Sequence, residues 1–370
     1  MTSPSRTRMI FATIIACAWL LSFSSTVQAQ VVGSRSKMTI ETFVNILSSQ
    51  GNWHRNEQWG WVWQPRNAPP WWRPYASGSW IATKDFGMVW HSYESFGWAV
   101  YHYGRWVHQP DEGWFWVPDT EWGPGWVSWR AGNGYVGWAP MPPKSPGDFG
   151  VSVEAGCSTP PQSWLFVPEN QLLTANVIHV TLPVPRNVNL IGHTDCETRY
   201  VLEGGVRTDR SIPQDVLERA AHGYPFRPVQ MVESPSVPLN NPGSTALLLF
   251  APVISGHMPL NRDLSGTNQT LIDPSQTPFP PAVQAEHRRM LENYHHAELA
   301  RMHQMQVDDL QRPPLPGMSR EQLAAWHRAE HAQYTSMIQG QRRQLDNDHQ
   351  DHYENEPTGS DTDDAGDGSS

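Results

Sequence analysis

His327-Arg328-Ala329-Glu330-His331 is the stretch of this sequence whose residue types and spacing match a known catalytic pattern. In H-x-x-E-H, two histidines one helical turn apart can ligate zinc while the glutamate serves as base. On that pattern the chain reads as a zinc-dependent hydrolase using His327, Glu330 and His331. The surroundings favour a chance match. Such a site needs a further acidic ligand on another helix and an enclosed apolar cavity, whereas a short polar tail follows here, and His, Glu, Arg and Gln are frequent throughout. Glu292, His295, His296 and His303 could place metal ligands on one helix face, but a solvated histidine-rich helix accounts for them. His91, His102 and His108 read as polar strand positions. No phosphate-cradling glycine loop, nucleophile elbow or spaced carboxylate pair stands out, so neither enzymatic activity nor a cofactor is expected. His327 and His331 are the pair that would carry a metal if one were present.

A second set of residues suggests binding without catalysis. Tyr75, Tyr101, Tyr103 and Phe115, with Arg73, Arg105 and Arg130 beside them, could line an exposed aromatic face suited to stacking on sugar rings or proline-rich peptide. Coverage of that face by the segment after Gly150 would remove it. Cys157 and Cys196 are the pair expected to form a disulfide, closing a loop of about 40 residues and contributing on the order of 3–4 kcal/mol.

The elements that must position these groups are dominated by tryptophan. Sixteen of the chain's 19 tryptophans fall between Trp53 and Trp138. They recur in a repeat: Trp72…Gly78-Ser79-Trp80…Gly87-Met88-Val89-Trp90 returns as Trp98…Gly104-Arg105-Trp106…Gly113-Trp114-Phe115-Trp116. Pairs such as Trp61 and Trp63, or Trp114 and Trp116, sit two apart and so share one strand face. Tyr101 and Tyr103 read the same way. Gly and Pro clusters between the runs supply turns, making each repeat two short antiparallel strands. Glycine before tryptophan leaves bare backbone for an indole to cover, as in Gly78 with Trp80 and Gly104 with Trp106.

The expected organisation is mainly β. A signal peptide over 1–29 precedes a tryptophan-rich antiparallel β-repeat domain over 38–145, in which Met38–Ser49, with Phe43 and Leu47 on one face, forms a short helix or strand docked on the first repeat. A small mixed segment follows over 146–233, with strands near Ser163–Val167, Val177–Val180, Asn187–Ile191, Arg199–Glu203 and Arg227–Glu233 and a helix over Gln214–Ala221. A Pro-rich linker spans 234–281, with Ala246–Phe250 as a strand docking back. A helical hairpin covers 282–345, its second helix opened by a Ser319/Gln322 capping box. An acidic disordered tail closes the chain over 346–370.

Arg6 and Arg8, the apolar run Met9–Phe23 and Val27-Gln28-Ala29 compose an export signal cleaved before Gln30. The apolar run continues past Cys17, which argues against lipidation, and at about 15 residues it is short of the roughly 20 that cross a bilayer. No transmembrane span is expected after cleavage. The net charge of −10 comes largely from the acidic tail, so a nucleic-acid partner is not expected.

Gly97-Trp98-Ala99-Val100-Tyr101-His102-Tyr103-Gly104-Arg105-Trp106, Gly113-Trp114-Phe115-Trp116-Val117-Pro118, Trp122-Gly123-Pro124-Gly125-Trp126 and Val136-Gly137-Trp138-Ala139-Pro140 resemble an exported bacterial tryptophan-rich family. This is domain of unknown function 6600, related to YXWGXW-repeat proteins and sometimes attached to FecR-type regulators. The resemblance covers roughly residues 40–145 and implies a Gram-negative periplasmic or envelope location without supplying an activity. The expected function is a non-enzymatic envelope scaffold or binding module for cell-wall glycan, polysaccharide or a protein partner.

Overall fold

The computed structural model describes residues 35–66, 68–69, 71–110, 112–149, 157, 159–221, 226–234, 246–256 and 280–354. The expected signal peptide with Cys17, most of the linker and most of the acidic tail lie outside these residues. The architecture is mainly β: small sheets, most of them antiparallel, with two long helices at the C-terminal end.

β1 (Lys37–Thr39) leads into α1 (Ile40–Ser48), which starts where Thr39 accepts a bond from the Thr42 amide at 3.3 Å. α1 buries Ile40, Phe43, Val44 and Leu47, and the Leu47 carbonyl accepts the Trp63 indole N–H at 3.0 Å. Four antiparallel strand pairs follow. β2 (Gly51–Asn56) pairs with β3 (Gly60–Pro65), and β4 (Gly78–Thr83) pairs with β5 (Gly87–Ser92). After a single helical turn, α2 (Gly97–Val100), β6 (Arg105–Gln109) pairs with β7 (Gly113–Val117), then β8 (Val127–Gly132) with β9 (Tyr135–Pro140).

Each pair sets two buried indoles directly opposite one another: Trp53 and Trp63, Trp80 and Trp90, Trp106 and Trp116, Trp129 and Trp138. Cross-strand aromatic pairs are the unit that stabilises such ribbons. In the first three pairs the glycine two residues before the first indole makes room for the second, whereas Val127 holds that position before Trp129. A Cβ would lie 2.3 Å from the Trp63 ring on Gly51, 2.7 Å from Trp90 on Gly78 and 2.8 Å from Trp116 on Gly104. The covering ring therefore comes from the partner strand, and not from Trp80 or Trp106 on the same strand. Tyr101 and Tyr103 are not on a strand: they follow α2 in a turn, where glycine-bounded Gly97–Val100 coils instead of extending.

The chain beyond residue 145 completes these sheets. β10 (Leu165–Pro168) extends β9, and β11 (Asp195–Cys196) extends β8. β12 (Tyr200–Glu203) and β13 (Val206–Asp209) form a ribbon that joins β5 through Asp209 opposite Gly87. The strand expected at Val177–Val180 is a 3-10 turn, capped by Asn176 on the Ile178 amide at 3.2 Å. Asn187–Ile191 belongs to a helix, α3 (Val184–Ile191), because Pro183 and Pro185 preset the backbone for a first helical turn. The helix expected over Gln214–Ala221 forms as α4.

β14 (Val229–Met231) pairs in parallel with β15 (Leu247–Leu249), so the apolar run at 246–250 does dock back. β16 (Val253–Ser255), not foreseen in the Pro-rich stretch, pairs in parallel with β1. Two helices close the described chain, α5 (Pro281–Asp309) and α6 (Arg320–Glu354), the second opened by reciprocal Ser319 and Gln322 bonds of 2.7 and 3.1 Å. Met302 of α5 and Leu323, Trp326 and Met337 of α6 are buried, while Met290 of α5 is exposed.

Candidate functional site

The residues expected to form an exposed face are turned into the protein. Tyr75, Tyr101, Tyr103, Phe115 and Arg105 are each 0–1 % exposed. The Tyr75 hydroxyl donates to the Tyr101 carbonyl and accepts from the Trp126 amide, both at 3.0 Å, while its own carbonyl receives the Trp138 indole at 3.0 Å. Burial pushes that hydroxyl's pKa up. Tyr101 donates to Glu94, whose other oxygen accepts the Trp72 indole at 2.7 Å, and burial raises the Glu94 carboxyl. Tyr103 donates to the Pro252 carbonyl at 2.5 Å. Phe115 does lie on the opposite sheet face, but Val62, Val117, Trp59 and Phe149 enclose it.

The three arginines grip carbonyls of the chain's own later segments. Arg105 lies 3.5 Å over the Trp126 ring and donates to Phe149 O at 2.6 Å. Burial lowers it to about 10, so it stays charged at neutral pH. Arg73 donates to the Gln162 carbonyl, beside the stacked Trp71 and Tyr294. Arg130 donates to Ile191 O at 3.0 Å and to Thr194 O, carbonyls at and just past the end of α3. Tyr75, Tyr101, Phe115 and Arg105 are enclosed by the tryptophan-rich region and Phe149, while segments after Gly150 supply the partners of Tyr103, Arg73 and Arg130. Cys157 and Cys196 are joined by a disulfide, with Cα atoms 6.2 Å apart, fastening the segment before β10 to β11.

The H-x-x-E-H residues are equally committed. Glu330 is fully buried; one of its oxygens receives Arg186 Nε at 2.6 Å and the Trp326 indole at 2.8 Å, and the other receives Gln306 at 2.8 Å. Arg186, from α3, also makes a two-pronged contact with Asp309 at 3.0 and 2.5 Å. His327 Nε2 is 2.9 Å from Asp309, while His331 is exposed and faces His303 with ring centroids 5.6 Å apart. The pattern that on spacing alone could offer zinc ligands and a base is a buried ion network binding α3 to α5 and α6. Glu330 has no oxygen turned toward an open position. Among the described residues no three His, Cys, Asp or Glu side chains are grouped to hold a metal ion, and no helix is long and apolar enough to cross a membrane.

A cleft of about 190 Å³ opens between the loop after β7, the β12–β13 turn and β16. Arg35, Glu121, Trp122, Leu202, Arg207 and Val253 line it. Leu202 is 64 % exposed and Val253 44 %, whereas Trp122 is buried beneath Arg35, 5.7 Å from its ring centroid. Arg207 donates to Glu121 at 2.8 Å, so a paired charge stands on the rim of a cleft whose lining mixes polar and apolar groups. Sequence reasoning did not single out Leu202. The Gly204-Gly205 turn marks the ribbon, but the face of a short edge strand left bare depends on what packs against it.

No curated protein and no solved structure matches the chain. Residues 44–145, which contain all four tryptophan-paired ribbons but none of the strands that complete their sheets, match the model of a family of unknown function, DUF6600.

Proposed function

We propose that the protein is an exported, non-enzymatic scaffold of the bacterial envelope, built on four copies of one tryptophan-paired ribbon, that docks a polypeptide partner at the Leu202–Val253 cleft. The carrying observation is the contrast between that cleft and the rest of the surface expected to bind. The aromatic and arginine groups are engaged within the chain, while Leu202 and Val253 stand exposed side by side with Arg207 and Glu121. A glycan site would call for an exposed aromatic platform, and the cleft's own indole, Trp122, is buried. The cleft is also below the roughly 300–1,000 Å³ typical of small-ligand pockets, which suits one or two side chains of a peptide. The Cys157–Cys196 bridge is in keeping with an oxidising compartment.

A photo-crosslinker placed at Val253 in the native envelope tests this. The expected product is a defined polypeptide adduct, lost in Leu202→Asp while the fold, followed by indole fluorescence, is unchanged. Retention on cell-wall or polysaccharide preparations that Leu202→Asp does not weaken, without any polypeptide adduct, would refute the assignment.

A further inference from the structure

β12 is the outer strand of its sheet, with β13 on one side and no strand on the other among the described residues. Every residue of Arg199-Tyr200-Val201-Leu202-Glu203 is half-buried or exposed. Proline, lysine and a bulge, the usual guards of a sheet edge, are absent from it. Such an edge is a template for another strand.

The direction of its unused backbone groups follows from the ladder. The Arg199 carbonyl accepts the Arg210 amide at 2.8 Å, and the Arg199 amide donates to Ser211 Oγ at 2.8 Å, so Arg199 turns its backbone toward β13. Alternation along an antiparallel pair then turns Val201 and Glu203 the same way, and the N–H and C=O groups of Tyr200 and Leu202 outward. A second, antiparallel β12 centred on Val201 meets those groups in register. Tyr200 of one copy exchanges both bonds with Leu202 of the other, Val201 faces Val201, and Arg199 stands opposite Glu203. The strand is therefore complementary to its own reversal, with opposite charges at the ends and apolar residues between them. Shifting the centre to Tyr200 sets Glu203 against Glu197, and shifting it to Leu202 sets Arg199 against Gly205. Glu203 is held by Arg210 of its own chain at 2.7 Å, but its side chain is 50 % exposed and a carboxylate oxygen accepts more than one bond.

We propose that β12 pairs with β12 of a second copy of this chain, joining two sheets across a two-fold axis at Val201. The inference rests on the reading of the Leu202 side of the cleft as a polypeptide-docking surface, and it names the polypeptide. Each copy covers the other's open edge, so the product is a closed dimer and not a fibre.

Sedimentation equilibrium of the intact, disulfide-bonded chain tests the pairing. Two five-residue edges make a small contact, below the roughly 1,200 Å² of stable complexes, so the concentration series runs to about 1 mM. The expected result is a monomer–dimer equilibrium. Arg199→Glu and Glu203→Arg should each weaken it at least about tenfold, because either change sets two pairs of like charges opposite one another. An equimolar mixture of the two variants should recover the dimer, since every charge pair across a mixed dimer is again opposite in sign. A wild type that stays monomeric, variants that associate as the wild type does, or natively folded variants that stay monomeric when mixed would each overturn the proposal. The photo-crosslinker at Val253 separates this outcome from the reading it rests on. An adduct with a different polypeptide, formed by a chain that stays monomeric, removes the self-pairing and leaves the docking surface standing. A monomeric chain that forms no adduct removes both.

Discussion

Alanine at Gly104 should be far more damaging than alanine at Gly60, although both glycines have left-handed backbones, with φ of +61° and +76°. A side chain in that region costs about 1–2 kcal/mol by itself. At Gly60 nothing lies within 4 Å of the added Cβ, so this conformational term is the whole expected effect. At Gly104 the Cβ would stand 2.2 Å from the Val117 carbonyl and 2.8 Å from Trp116 Cε2 and Nε1. The carbonyl belongs to the paired strand, with Arg105 opposite Val117, and it can retreat only by opening the ribbon. Overpacking of this kind costs about 1–3 kcal/mol. Moving the Trp116 ring also breaks its 2.7 Å bond to the Tyr103 carbonyl, and an orphaned buried donor costs about 1–3 kcal/mol more.

Gly104→Ala is therefore expected to lose between about 3 and 8 kcal/mol, much of the roughly 5–15 kcal/mol that holds a typical protein folded. Gly113→Ala is the informative third case. Its φ is +76° and its Cβ would meet Gln344 Nε2 at 2.2 Å, but that atom ends a flexible side chain, so the loss should stay close to that of Gly60→Ala. Guanidinium unfolding followed by indole fluorescence, with the disulfide intact in all variants, measures the three differences. If Gly104→Ala fell within about 1 kcal/mol of Gly60→Ala, the claim that these glycines exist to seat the partner strand's indole would be wrong.

Two further outcomes follow from buried charge. Burial pushes the Asp209 carboxyl up from 3.8 to about 6, against the Trp129 indole N–H at 2.7 Å and the Ser211 amide at 2.9 Å. The native chain holds this proton more tightly than the unfolded one, so the stabilisation is complete below about pH 4 and is lost as pH rises through 6, a change of about 3 kcal/mol. Denaturant midpoints from pH 4 to 8 should fall more steeply in the wild type than in Asp209→Asn, and parallel profiles would refute the assignment. Arg186→Met should cost about 3–5 kcal/mol, because it leaves Asp309 and Glu330 buried without their cation. Hydrogen exchange should then rise along α5 and α6, and replacing all three charges with apolar residues should recover most of the loss; an innocuous single variant would show that the network is not what holds the helices.

The ribbons were legible in the sequence because their signals are local. Indoles two apart, Gly at the turns and the Ser319/Gln322 cap all report on a few neighbouring residues, and antiparallel strands and a capped helix form at those positions, although Tyr101 and Tyr103 do not join a strand. α3 was misread for a local reason as well: Val184, Val188, Leu190 and Ile191 look extended until Pro183 and Pro185 are seen as the start of a helix. Long-range pairing left no such mark. Nothing in the neighbours of Arg186 says that it will meet Asp309 and Glu330, which lie 123 and 144 residues away. The H-x-x-E-H spacing is equally compatible with a metal site and with a helix that buries Glu330 beside Trp326. Only the arrival of α3 decides between them.

The closure of the aromatic face has a general physical origin. A surface rich in indoles, phenols and arginines attracts any segment offering carbonyls and apolar side chains, and the segments after residue 145 are tethered beside it. A tether converts binding into an intramolecular event at an effective concentration of order millimolar, so a free ligand competes only if its affinity or abundance is higher. Arg105 on Phe149, Arg73 on Gln162 and Arg130 on the end of α3 are contacts of that kind. Leaving so large an aromatic patch uncovered would also invite self-association. Composition alone therefore misplaces the binding surface: the residues best suited to recognition are those the chain uses on itself. A partner must use what the tether cannot reach, and the exposed Leu202 and Val253 beside the Arg207–Glu121 pair meet that condition.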